Sequence, residues 1–180
     1  MNPTIVTDFW RGAGPKRWFR KDPAFDREIE DRFEPAHHAA ARGEYPDWQN
    51  TADGALALVL VLDQFPRNIW RNSPHAYAAD PLSRQIARFS IDCGHDRATE
   101  TALRAFFYLP FEHSEDLADQ DLSVALNTAL QRDGGGAADW AHKHRDVIIR
   151  FGRFPHRNAA LGRASTPEEL AWLTDGGFAG

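Results

Sequence analysis

Three short stretches concentrate the side chains that could do chemistry. Phe65-Pro66-Arg67-Asn68, Leu109-Pro110-Phe111-Glu112-His113 and Phe154-Pro155-His156-Arg157-Asn158 share one construction: an aromatic residue or leucine, then proline, then polar side chains. Arginine offers a planar fork that matches a carboxylate or phosphate. Histidine changes charge near neutral pH, and a neighbouring carboxylate or guanidinium moves the pH at which it does so. Brought together, such residues make an anion clamp beside an acid–base group. The candidate catalytic residues are His113 and His156, which would move a proton, and Glu112, which would orient or tune a histidine. The candidate ligand-binding residues are Arg67, Arg153 and Arg157 as anion holders and Asn68 and Asn158 as orienting amides. Arg104 joins them from the helix leading into the middle corner. The competing reading is structural, because Arg and Asn just after a helix end can bond its last unpaired carbonyls.

Other chemistry finds little support. A di-iron bundle needs two Glu-x-x-His pairs, and only Glu34-Pro35-Ala36-His37 fits, with a proline inside it. Asp139, His142 and Asp146 share a helical face, a pattern that more often is solvated than metal-bound. His142 and His144 point to different sides of a helix. No Gly-rich phosphate loop, His-Glu-x-x-His or nucleophile elbow occurs. The single cysteine, Cys93, precedes Gly94 at an expected helix C-terminus, where the dipole raises a thiol pKa. We therefore expect no metal and no cofactor.

The elements that must position the three corners read as helices. The residue before each proline is pushed out of helical geometry, so each preceding helix should end there. Asn2-Pro3 and Asp22-Pro23 open helices with proline in the first turn. Phe25, Ile29 and Phe33 recur at helical spacing, and Pro35 should kink or restart that helix. The run Leu56–Leu62 is wholly apolar, and the absence of any partner strand pattern favours a central buried helix. Further helices are expected from Ser73-Pro74 to Cys93, over Thr99–Phe107, Ser114–Arg132 and Ala137–Phe151, and after Thr166-Pro167-Glu168-Glu169, which has the form of a capping box. About eight helices and no convincing strand make one all-α domain over residues 1–180. With 42% hydrophobic and 26% charged residues, 180 residues suffice for one core. The tryptophans and phenylalanines are its expected filling.

Charge narrows the partners. The net charge of -5 argues against nucleic-acid binding by bulk attraction. Yet the segment His144–Arg163 holds Arg145, Arg150, Arg153, Arg157 and Arg163 against Asp146 alone. A local basic segment in an acidic chain suits a small anion or an acidic partner, unless the arginines simply pair with neighbouring acidic helices. The longest strictly apolar run, Ala55–Leu62, is far short of the ~20 residues that span a bilayer. The N-terminus lacks a signal-peptide pattern, so a soluble cytoplasmic protein is expected, with neither membrane nor nucleic acid as partner.

Longer blocks around the corners carry a resemblance. Leu62-Asp63-Gln64-Phe65-Pro66-Arg67-Asn68, Phe106–Glu115 and Arg150–Asn158 look like the three signature blocks of an uncharacterised bacterial family, a domain of unknown function with a tetratricopeptide-like helical fold. The similarity runs from Val6-Thr7-Asp8-Phe9-Trp10 to Ser165-Thr166-Pro167-Glu168-Glu169. It implies an all-α helical array resembling the tetratricopeptide-like class, and no particular reaction. Asn72 stands where that family more usually has glycine, a change that left-handed geometry tolerates. Two functions are then expected to compete. One is a polar Arg/His/Asn cleft that binds a small anionic ligand, with acid–base catalysis as a further step. The other is a helical scaffold presenting a groove to a peptide or protein partner.

Overall fold

The computed structural model describes residues 1–136 and 138–177. They form α1 (Pro3–Ala13), α2 (Pro15–Trp18), α3 (Pro23–Ala41), α4 (Ala52–Val59), α5 (Phe65–Ile69), α6 (Asp80–Asp92), α7 (His95–Ala98), α8 (Thr101–Arg104), α9 (Leu109–Glu112), α10 (Leu117–Arg132), α11 (Ala138–Phe151) and α12 (Pro167–Thr174). Single 3-10 turns at Pro46–Asn50, Pro74–Tyr77, Ala105–Phe107 and Pro155–Arg157 and a π-helical turn at Leu60–Gln64 connect them. Among the described residues there is no strand, as expected for an all-α chain. Seven of the expected helices are present as α-helices of eight residues or more. The eighth, expected over Thr99–Phe107, is broken into α8 and a 3-10 turn.

The apolar run becomes the centre of the molecule. Every residue from Ala55 to Leu62 is at most 5% exposed. This helix carries no polar face because α1, α3 and α6 pack around it. Trp10, Phe25, Phe33, Phe65, Phe106 and Phe111 fill the space between these helices. Trp10 also accepts, through its carbonyl, a 2.7 Å hydrogen bond from the Trp18 indole N–H, which closes the turn between α1 and α2.

Two proline expectations are corrected. Pro35 neither kinks nor restarts its helix: α3 runs through it from Pro23 to Ala41. Pro35 is exposed while Phe25, Ile29, Phe33, Ala36, His37 and Ala40 are buried. The carbonyl that proline leaves unpaired therefore faces water, and burial of the opposite face outweighs the ~3 kcal/mol helix penalty. At the first corner the helix does not end before Pro66 but widens. The Phe65 N–H reaches back five residues to the Leu60 carbonyl, and α5 continues through the proline. In this wide register the Val61 carbonyl faces position 66, where proline has no hydrogen to give. His37 supplies it instead, its Nδ1 lying 2.8 Å from the Val61 oxygen. The Arg67 side chain also reaches back into this turn, donating to Asp63 O at 2.8 Å.

Elsewhere the ends follow the expected chemistry. The Thr166–Glu169 capping box starts α12, and Asn72 adopts φ 61, the left-handed value. Cys93 caps α6, is exposed, and is followed by a left-handed Gly94. The helix expected from Ser73 is instead the 3-10 turn Pro74–Tyr77 followed by α6, with Pro81 in its first turn. The expected start of α11 at Ala137 lies outside the described residues.

Candidate functional site

The three corners meet. The π turn is the device at the first, because it turns Asp63 inward: the carboxylate is fully buried in an otherwise apolar segment. Its oxygens lie 2.9 and 3.0 Å from Nδ1 of His113, at the end of α9, and 3.2 Å from Arg67. Gln64 Nε2 donates to the same carboxylate. Arg67 in turn makes a two-pronged pair with Asp80, 2.9 Å on each prong, at the N-terminus of α6. The middle corner continues into α11: the Glu112 carboxyl is 3.1 Å from Nδ1 of His144, whose ring stands 6.3 Å from that of His113. Phe154, from the third corner, packs against both His144 and His156.

Tautomers follow from the acceptors. A carboxylate and a carbonyl can only accept, so His113 carries its proton on Nδ1 toward Asp63. His144 likewise donates from Nδ1, facing the Trp140 carbonyl at 2.9 Å and Glu112 at 3.1 Å. Each ring keeps Nε2 as its basic atom.

Arg157 is the residue whose surroundings are least complete. The other four arginines of the basic segment pair outward: Arg145 with Asp121, Arg150 with Glu168, Arg153 with Glu169 and Arg163 with Glu115, none farther than 3.0 Å. Arg157 is 6% exposed, and its guanidinium lies 4.6 Å from the ring centres of both Tyr77 and Phe154. Its contact to Asp80 is 3.6 Å, beyond hydrogen-bond length, and its Nε has no hydrogen-bond partner.

Burial sets the protonation states. It lowers Arg157 to about 10, aided by the charge of Arg67. It lowers His144 and His156 to about 3, with Arg157 acting on both, and lowers His113 with the help of Arg67. It raises Glu112 to about 7, with the Asp63 charge adding to the effect. Burial would raise Asp63 too, but Arg67 and His113 outweigh it and hold that carboxylate well below its ordinary range. Two aspartates thus face two arginines, with three neutral imidazoles and one half-titrated carboxyl beside them.

Five of the nine candidate residues share this cluster: Arg67, Glu112, His113, His156 and Arg157. The other four do not reach it. Asn68 donates to Asp26 at 2.7 Å and ties α5 to α3. Arg104 pairs with Asp133 at 2.9 Å. Arg153 and Asn158 both bond Glu169, fastening the third corner to the cap of α12. Sequence reasoning missed Asp63, Tyr77, Asp80 and His144. Only Asp63 carried a signal, as a lone acid closing an apolar run that must be buried.

Two surface depressions are lined by none of the nine candidate residues. One of about 220 Å³ is lined by Lys143, Asp146, Val147, Arg150, Phe151 and Trp172. The other, of about 240 Å³, lies between α1 and α3 around Phe9 and Glu28. No group of three His, Cys, Asp or Glu disposed to hold a metal occurs among the described residues. No described helix is long and apolar enough to cross a membrane.

Residues 6–177 match the model of a family described as "Bacterial protein of unknown function (DUF924)". Among solved structures, a protein of unknown function from Agrobacterium tumefaciens is similar over 97% of each chain, at 51% identity and a TM-score of 0.92. No curated protein matches.

Proposed function

The chain belongs to this bacterial family of unknown function, and with the corners as its chemistry we propose that it binds a small anionic ligand where they converge. The observation that carries the reading is Arg157. Four neighbouring arginines have carboxylate partners within 3.0 Å, whereas Arg157 is buried between two aromatic rings with an unbonded Nε. A buried polar hydrogen without an acceptor costs about 1–3 kcal/mol, more for a charged group. An anion supplying that acceptor would recover the loss. Arg67 also stands over the Tyr77 ring, at 5.6 Å, and the basic Nε2 of His113 can exchange a proton with what binds. Arg67 and Arg157 are the anion holders in this reading, His113 and His156 the proton carriers, and Glu112 the group that tunes them.

The scaffold reading draws on the depression between α11 and α12, two helices on which Trp140, Ile149 and Leu170 are each about half exposed. Its 220 Å³ falls below the ~300–1,000 Å³ usual for ligand pockets. The corners are favoured because Arg157 lies buried there with an unbonded Nε.

Thermal unfolding against a panel of phosphorylated and carboxylated metabolites tests the proposal, with Arg157→Gln measured in parallel. A ligand at one hundred times its Kd adds ~2.7 kcal/mol to native stability, which raises Tm by a few degrees for a chain of this size. The expected result is a shift with an anionic compound that Arg157→Gln abolishes. A cooperative melt that no anion shifts refutes it.

A further inference from the structure

We propose that the converged corners take up a proton together with each small oxyanion they bind, so that the ligand enters as a neutralised pair. The inference rests on the anion reading above and adds to it a stoichiometry of protons.

The fixed charges around the site already close. Asp63 from the π turn and Asp80 from α6 face Arg67 from α5 and Arg157 from the third corner. Glu115, beyond α9, is held by Arg163 and by the Phe154 N–H. Tyr77, from the 3-10 turn before α6, presents its ring to both guanidiniums. An arriving negative charge therefore finds a donor in Arg157 but no surplus of positive charge, in surroundings where an uncompensated ion is expensive.

The compensation is built in beside it. Glu112 is 3.1 Å from His144, whose ring stands 6.3 Å from that of His113 and 5.6 Å from that of Phe154, which in turn packs on His156. Burial is the largest influence on all four titratable groups and keeps them neutral or half-neutral, in His113 even against the Asp63 carboxylate bonded to it. Such groups respond to a new charge. A unit negative charge about 6 Å away, at an effective dielectric constant of about 20, raises a carboxyl pKa by about two. Glu112 starts nearest to neutrality and is the first to respond. Between about pH 7 and 9 it is ionised in the free protein and protonated in the complex, and anion affinity falls up to about tenfold per pH unit across that interval.

Titration calorimetry decides the matter. Sulfate and acetate, whose charges are constant over the neutral range, are titrated separately into the whole protein at about pH 8 in two buffers of different ionisation enthalpy. The expected result is binding of at least one of the two, with a heat that differs between buffers by an amount corresponding to about one proton per anion. Sulfate alone binding points to phosphoryl compounds as the natural ligand, and acetate alone to carboxylates. In Glu112→Gln the buffer dependence should largely vanish, and a heat that still differs between buffers by one proton overturns Glu112 as the group that takes it up. Binding with the same heat in both buffers overturns the proton coupling and leaves the anion reading standing. Binding of neither anion overturns both. The two-buffer comparison on the unsubstituted protein is decisive even if the Gln variant fails to fold.

Discussion

Replacing Glu112 by glutamine tests the electrostatics of the site without any ligand. The Glu112 side chain is 5% exposed, and burial raises its carboxyl from 4.5 to about 7 in the native protein. A carboxyl with a raised native pKa adds stability that is fully present below its unfolded value and is lost as pH rises through the native one. At ~1.4 kcal/mol per pKa unit, the loss between about pH 4.5 and 8 is on the order of 3 kcal/mol. Glutamine has the same shape and can accept the His144 proton, but it never ionises. His144 and His156, lowered by burial to about 3, work in the opposite sense in both proteins, destabilising the native state as pH falls below about 6.5. The quantity to measure is therefore the difference between variant and parent in urea unfolding, at about pH 5 and about pH 8. The variant should gain about 2–3 kcal/mol relative to the parent between these two conditions. A difference that stays constant within about 0.5 kcal/mol would refute the assignment of Glu112 as a buried, uncompensated carboxyl.

Other substitutions probe the frame around it. Asp63→Asn removes the charge that Arg67 and His113 share and should cost about 3–5 kcal/mol in chemical denaturation, because it leaves a guanidinium buried with half its counter-charge. Gly54→Ala should destabilise as strongly as a core cavity mutant, about 3 kcal/mol or more in the same assay, since the new methyl would fall on the Trp48 backbone carbonyl at the start of α4.

What could be read from the chain alone was local. The apolar run Leu56–Leu62 announced a central helix, and Thr166-Pro167-Glu168-Glu169 announced the start of α12, because each signal depends only on neighbours in sequence. The three corners were recognisable from composition, and their prolines marked real departures from regular α-helix. The form of the departure was not readable. Whether a helix ends before Pro66 or widens depends on His37, far away in the chain, reaching the Val61 carbonyl. Likewise the five arginines of the basic segment are equivalent in sequence, and only packing gives four of them a carboxylate and leaves Arg157 between two rings. Asn68, Arg104, Arg153 and Asn158 were candidates on side-chain type, and the structure gives each a carboxylate or hydroxyl partner outside the cluster.

The ionic cluster also divides the molecule mechanically. Beyond α10, the chain contributes a small apolar group of Val147, Ile148 and Phe154, with Phe151 and Trp172 against it, separate from the main core around Trp10 and Phe65. Apart from the packing of α11 on α10, this end is joined to the rest largely by polar contacts: Asp80 to Arg157, Glu112 to His144, and Glu115 to Arg163 and the Phe154 N–H. A clasp that needs an ionised carboxylate, as Glu115 does with Arg163 and the Phe154 N–H, loosens with acid, whereas the enclosure of Leu56–Leu62 does not. Acidification should therefore open the C-terminal end as a unit of its own, with backbone amides between His144 and Arg163 exchanging with solvent while those of α4 stay protected. The residues that hold a ligand would then be the same ones that hold the last part of the chain in place.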